Sequence, residues 1–98
     1  ILIGTSHPRD FSLASTNLPV MKILGTRDGV AALEKSQQNR PLLPPATRWV
    51  SIEGGNHSQF GDYGFQPGDN QAGITRDQQR NLTLQAMLAF LQSITPAN

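Results

Sequence analysis

The chain has no cysteine among its 98 residues, which excludes disulfides and thiolate-bound metal and leaves the cellular compartment open. An excess of charge of one sign is missing too. Eight Lys and Arg against seven Asp and Glu give a net charge of +1, with no basic run and no interleaved aromatic stripe. That balance speaks against nucleic acid or an anionic membrane surface as partner. Hydrophobic residues make up 37% of the chain, and no apolar run approaches the roughly twenty residues a membrane span needs. His7, His57 and the scattered carboxylates show no H-E-x-x-H or comparable metal spacing, and no G-x-G-x-x-G follows a strand. "GDNQAG" (68–73) begins like a calcium loop but lacks the later alternating oxygens and the closing glutamate. No metal and no cofactor is therefore expected. The tripeptides Asn56-His57-Ser58 and Asn81-Leu82-Thr83 match a glycosylation sequon, a pattern short enough to recur by chance.

What is present is an alternation of strands and helices within one domain at most. Ile1-Leu2-Ile3 is a continuous apolar run, the pattern of a strand covered on both faces, and predicts a strand over 1–5. A buried strand at residue 1 implies chain in front of it, so the sequence is expected to be the tail of a longer protein. The run is too short for a signal peptide and lacks its basic flank and cleavage site. Residues 5–18 read as a polar loop with about one helical turn near Phe11–Ala14. A second strand is predicted over 20–25, between Pro19 and Gly25. A helix over 30–40 follows, with Asp28 near its start and Pro41 as its stop. "TRWVSIE" (47–53) is a third strand. A glycine-rich stretch then runs to about residue 74.

The closing element carries the clearest signals. Thr75-Arg76-Asp77-Gln78 has the form of a capping box, and Leu84, Met87, Leu88, Leu91 and Ile94 follow helical spacing. Arg80, Gln85 and Gln92 are turned away from that stripe, and Pro96 lies just beyond its end. This predicts one amphipathic helix over 76–94, packed through its leucines on the sheet. The order gives an α/β fold with a parallel sheet and right-handed crossovers.

Functional groups in such sheets collect on loops at the carboxyl ends of strands. "GTRDGV" (25–30) offers a carboxylate there, Asp28, and "EGGNHSQFG" (53–61) offers an imidazole, His57. Each has a plainer reading. Asp28 stands where a helix cap would, and glycines 54, 55, 61, 64, 68 and 73 would also serve a flexible tongue. A long loop without regular structure is uncommon in a compact domain and is often functional.

The pair of loops resembles the α/β-hydrolase family, in which an acid after the seventh strand precedes a histidine after the eighth. "GTRDGV" with "IEGGNHSQFGDYGFQPGDNQAGI" is similar to a bacterial branch related to dienelactone hydrolases and carboxylesterases. The resemblance covers essentially the whole chain, residues 1–98. It implies a three-layer α/β fold, of which these residues are the last three strands and C-terminal helix. It also implies that Asp28 and His57 are the acid and base of a Ser-His-Asp triad acting on carboxylic esters. The chain order Ser, Asp, His agrees with Asp28 preceding His57. Imidazole takes the serine proton, and a carboxylate on its other nitrogen fixes the tautomer.

The nucleophile is then expected upstream of Ile1, together with the oxyanion hole. Ser6 in "GTSHP" begins like a nucleophile elbow but ends in Pro8. Too little chain follows before Pro19 for the crossover helix an elbow needs. The expected partners are a small-molecule ester in the complete protein, and either the N-terminal half or a second copy paired through the Ile1–Thr5 strand edge. Two alternatives remain: a non-catalytic interaction or regulatory module that keeps the hydrolase tail, and a flavodoxin-like binding domain.

Overall fold

β1 (Leu2–Ile3), β2 (Met21–Gly25) and β3 (Arg48–Ile52) form a three-stranded parallel sheet in that order in a computed structural model describing residues 1–95. α1 (Leu33–Gln38) connects β2 to β3, and α2 (Arg76–Ile94) closes the chain. Short 3-10 turns lie at Arg40–Leu42 and Ser58–Phe60. The expected order of elements is present, and the expected parallel α/β sheet with it.

Register and alternation sort the side chains. Ile23 lies opposite Ile3 and Val50, and Lys22 lies opposite Leu2 and Trp49, so the two sets face opposite sides of the sheet. On the first side Met21, Ile23, Ile52 and Phe90 form the buried core, with Ile3, Val50, Phe60, Ile74, Ala86 and Met87 packed against it. Removing each large apolar side chain from water contributes roughly 1.5–3 kcal/mol. Every residue of β2 is buried, as a central strand covered on both faces requires.

The second side is covered by the 5–18 loop and by α1 with the turn after it. Leu13 N–H donates to Leu42 O (2.7 Å), Ser36 Oγ to Thr5 O (3.2 Å) and Asn39 Nδ2 to Ser6 O (3.0 Å). Lys22 is fully buried here. Its ammonium donates to His7 O and lies 5.7 Å from the centre of the Trp49 ring. Burial pushes the Lys22 pKa below its ordinary value.

Several boundaries differ from expectation for local reasons. β1 stops at Ile3 because Gly4 turns the backbone to a φ of 61°. α1 is shorter than 30–40 because the Val30 and Ala31 amides are held by Asp28 Oδ1, and the helix begins only after Ala32. No helical turn forms at Phe11–Ala14. Thr16 N–H closes a turn on Leu13 O at 3.0 Å instead.

α2 has the expected bounds and its capping box. Thr75 Oγ1 accepts from Gln78 N–H (3.1 Å) and Gln78 Oε1 from Thr75 N–H (2.9 Å). Pro96 lies outside the described residues. The face is what differs. Leu84, Leu88, Leu91 and Ile94 are exposed, whereas Gln79 and Phe90 are buried and Ala86 and Met87 pack on the core. Among the described residues, no helix is long and apolar enough to cross a membrane.

Candidate active site

The turn after β2 and the loop after β3 fit together residue by residue. Gly25 touches the histidine loop, and a Cβ added there would sit 2.5 Å from Gly55 O. Only a residue without a side chain allows that approach. Thr26 Oγ1 then accepts from Gly54 N–H (2.8 Å), and Arg27 N–H donates to Gly55 O (2.8 Å). With three successive residues locked to the second loop, the fourth is brought beneath the imidazole. That fourth residue is Asp28.

Asp28 Oδ1 accepts from the amides of Val30 (2.8 Å) and Ala31 (2.6 Å). The carboxylate therefore ties its own turn, while the start of α1 carries no side-chain cap. Its second oxygen is left for His57, whose Nδ1 lies 3.0 Å from Oδ2. Asp28's side chain is 1% exposed and that of His57 19%, so the carboxylate is buried and the imidazole reaches the surface. Such a pair fixes the proton on Nδ1 and leaves Nε2 as the basic nitrogen. The structure thus brings together the two residues singled out in the sequence.

His57 is aimed from both sides. Below it, the side chain of Gln79 on α2 is fully buried. Its Nε2 donates to Asn56 O (2.8 Å), and its Oε1 accepts from Asn56 N–H (3.2 Å) and Gln59 Nε2 (2.9 Å). Asn56 in turn caps the short turn that follows, its Oδ1 accepting from Gln59 N–H at 3.0 Å, and its Nδ2 donates to Asn70 O at 2.9 Å. Above it, the glycine-rich stretch folds back and places Asp69 against Ser58 and Gly29. Desolvation raises the Asp69 pKa, but bonds from the Ser58 hydroxyl and the Gly29, Ser58 and Asn70 amides outweigh it and bring it to about 2.

Gln79 and Asp69 carry no signal in the sequence. Gln79 reads as one more polar residue on a helix, and Asp69 as a turn-former between Gly68 and Asn70. The stretch to residue 74 is irregular but not a free tongue, since Gly73 N–H also donates to Gly54 O at 2.8 Å.

Ser6 is placed elsewhere. Its carbonyl is bound by Asn39, and its hydroxyl makes no hydrogen bond with His57. Gly4, two residues earlier, is the part of this segment that borders the imidazole, since a Cβ there would lie 3.6 Å from Nδ1 and 3.0 Å from the Phe60 ring. A cleft of about 280 Å³ opens beside β1, lined by Ile3, Phe60, Leu84 and Met87 and also by Gln59, Asp62 and Arg80. Among the described residues there is no group of three or more side chains that would hold a metal ion.

The family model described as alpha/beta hydrolase family matches residues 1–81, a span that includes both Asp28 and His57. No curated protein and no solved structure matches the chain.

Proposed function

The chain belongs to the alpha/beta hydrolase family, and from that premise we propose that it supplies the acid and base of a Ser-His-Asp triad acting on carboxylic esters. The observation that carries this reading is the 3.0 Å contact between His57 Nδ1 and the buried Asp28 Oδ2. A carboxylate whose other oxygen is occupied by two backbone amides is preorganised to receive one ring N–H and little else. His57 Nε2 accepts the proton of a serine hydroxyl as the serine oxygen attacks the ester carbonyl. It then gives that proton to the leaving alcohol, and the cycle repeats with water. Asp28 holds the ring in place and stabilises the imidazolium formed between the two transfers. The dienelactone hydrolase and carboxylesterase branch is the part of the family we assign, on the strength of "GTRDGV" and "GGNHSQFGDYG".

In this reading residues 1–98 are the C-terminal portion of the hydrolase domain, and the serine and oxyanion amides come from chain preceding Ile1. The open edge of β1 and the cleft beside it support that placement. A second reading, an interaction module without catalysis, is favoured by the exposed leucines of α2.

A fluorophosphonate probe separates the two, because it labels activated serines and ignores passive ones. We expect labelling of the full-length protein at a serine upstream of Ile1, its loss in His57→Ala, and no labelling of Ser6. The same substitution leaves folding intact and lowers kcat by about 10⁴-fold or more, since base and acid steps are both removed. A full-length protein that resists the probe overturns the catalytic reading.

A further inference from the structure

We propose that Asp69 is a positioning residue, whose carboxylate clamps the histidine loop to the acid turn and so holds His57 on Asp28. The inference rests on the catalytic reading of that pair and adds a residue to it. Asp69 Oδ1 accepts from Gly29 N–H (2.9 Å), Asn70 N–H (2.8 Å) and, more loosely, His57 N–H (3.3 Å). Its Oδ2 accepts from Ser58 N–H (2.8 Å) and Ser58 Oγ (2.6 Å). One side chain thus binds the residue after the acid, the base itself and the residue after the base. Asp69 touches neither imidazole nor any reacting atom, so it acts through the backbone on either side of the pair.

The surroundings are built for this role. Three amides follow Asp28 in the turn. The Val30 and Ala31 amides go to Asp28 Oδ1, and that of Gly29 goes to Asp69. A Cβ at Gly29 would sit 2.5 Å from Gly68 O and 3.0 Å from the Asp69 Cα, so a side chain there would lift the strap off the turn. Ser58 Oγ, while donating to Asp69, accepts from Gln66 N–H at 2.9 Å and fixes the irregular segment that leads to Asp69. An anion accepting several amides is also a stronger tie than a neutral side chain, because charge-assisted bonds are about twice as strong as neutral ones. The imidazole needs such a tie, since the turn that carries it is short and its own side chain is partly exposed.

Asp69→Ala and Asp69→Asn test the proposal, with Asp62→Ala as the control. Asp62 belongs to the same stretch, but its side chain pairs with Arg76 and Arg80 and makes no hydrogen bond to Asp28, His57 or Ser58. The readout is nitrogen-15 NMR of the His57 ring, where an Nδ1–H bonded to a carboxylate gives a downfield proton that exchanges slowly with water. Asp69→Ala is expected to lose that signal while the β2, β3 and α2 amide shifts stay in place. Asp69→Asn, which keeps one accepting oxygen but turns a donor toward Ser58 N–H, is expected to exchange the proton faster than wild type. Asp62→Ala is expected to keep it. A wild-type signal and exchange rate in Asp69→Ala overturns the proposal, and if that variant does not fold, the same result in Asp69→Asn does so. In the full-length protein, probe labelling is expected to slow by about 10²-fold in Asp69→Ala, the size of effect that a misplacement of about 1 Å can have. A full-length wild type that takes no label ends the catalytic reading alone, and the ring signal still decides whether Asp69 holds His57.

Discussion

Gln79, fully buried on α2, holds the peptide of Asn56 by both its N–H and its C=O, and thereby ties the residue before His57 to the closing helix. The arrangement resembles one step of a β-ladder made by a side chain. It explains why a polar residue occupies a core position of α2.

The first prediction follows from that pairing. Gln79→Ala strands a buried N–H and a buried C=O, each costing about 1–3 kcal/mol when unsatisfied, so a loss of about 2–6 kcal/mol is expected. Urea unfolding should show a lower midpoint with an unchanged slope. An alanine variant within 0.5 kcal/mol of wild type, on the order of a surface change, refutes the role given to Gln79.

A second prediction contrasts two glycines. Gly25→Ala pushes a methyl into the Gly55 carbonyl, which is backbone and cannot swing aside, so the histidine loop must move. The expected cost is about 1–3 kcal/mol, together with a shift of the His57 ring signals. Gly64 has a φ of 77° and nothing within reach of an added Cβ. Gly64→Ala should cost about 1–2 kcal/mol of backbone strain and leave His57 undisturbed. Equal effects of the two on the His57 ring would sink the idea that Gly25 sets the loop's approach.

Much of this was legible in the chain, and the failures have physical causes. β2 announces itself by an apolar run between Pro19 and Gly25, β3 by Trp49, Val50 and Ile52 ahead of Gly54, and α2 by its capping box. Helical spacing identified α2 but not which stripe is buried. Leu84, Leu88 and Leu91 form one apolar row, Ala86, Met87 and Phe90 another, and each fits a period of 3.6. The sheet takes the row that continues through Gln79, because there the helix also satisfies Asn56. At the site, Asp28 and His57 were visible as residue types following strands. Asp69 was not, since its partners are mostly backbone amides, which no sequence displays.

Lys22 gives a third prediction, about pH. Its ammonium is buried and its pKa lies below the ordinary 10.5. Between the lowered value and 10.5 the unfolded chain holds this proton more firmly than the folded one. Stability from this group therefore rises with pH across that window. Lys22→Met keeps the length of the side chain and removes the charge. It should flatten the alkaline rise and change stability at neutral pH by less than about 1.5 kcal/mol. Urea unfolding at a series of pH values reads both, and an unaltered slope in Lys22→Met counts against the burial argument.

The last prediction concerns the exposed row of α2 and the edge of β1. Leu84, Leu88 and Leu91 are 48%, 56% and 44% exposed, and Leu84 and Met87 share a cleft with Ile3 on the edge strand. The exposed leucines thus border the edge strand across a cleft that Gln59, Asp62 and Arg80 also line, and the strand's outward amides are free to pair. In the complete protein we assign this surface to the preceding part of the domain. In the 98-residue chain by itself it is expected to bind a second copy, giving a dimer or larger species by light scattering. Leu88→Glu places a charge in the middle of the row without touching the buried Phe90 face, and Ile3→Pro removes a donor from the edge. Each should shift the species toward monomer, and the pair together more than either alone. On the proposed placement the full-length protein is indifferent to concentration, and its Leu88→Glu variant loses stability rather than an oligomer. A wild-type 98-residue chain that stays monomeric at high concentration, with Ile1–Thr5 mobile, would dismiss both the pairing and the covered surface.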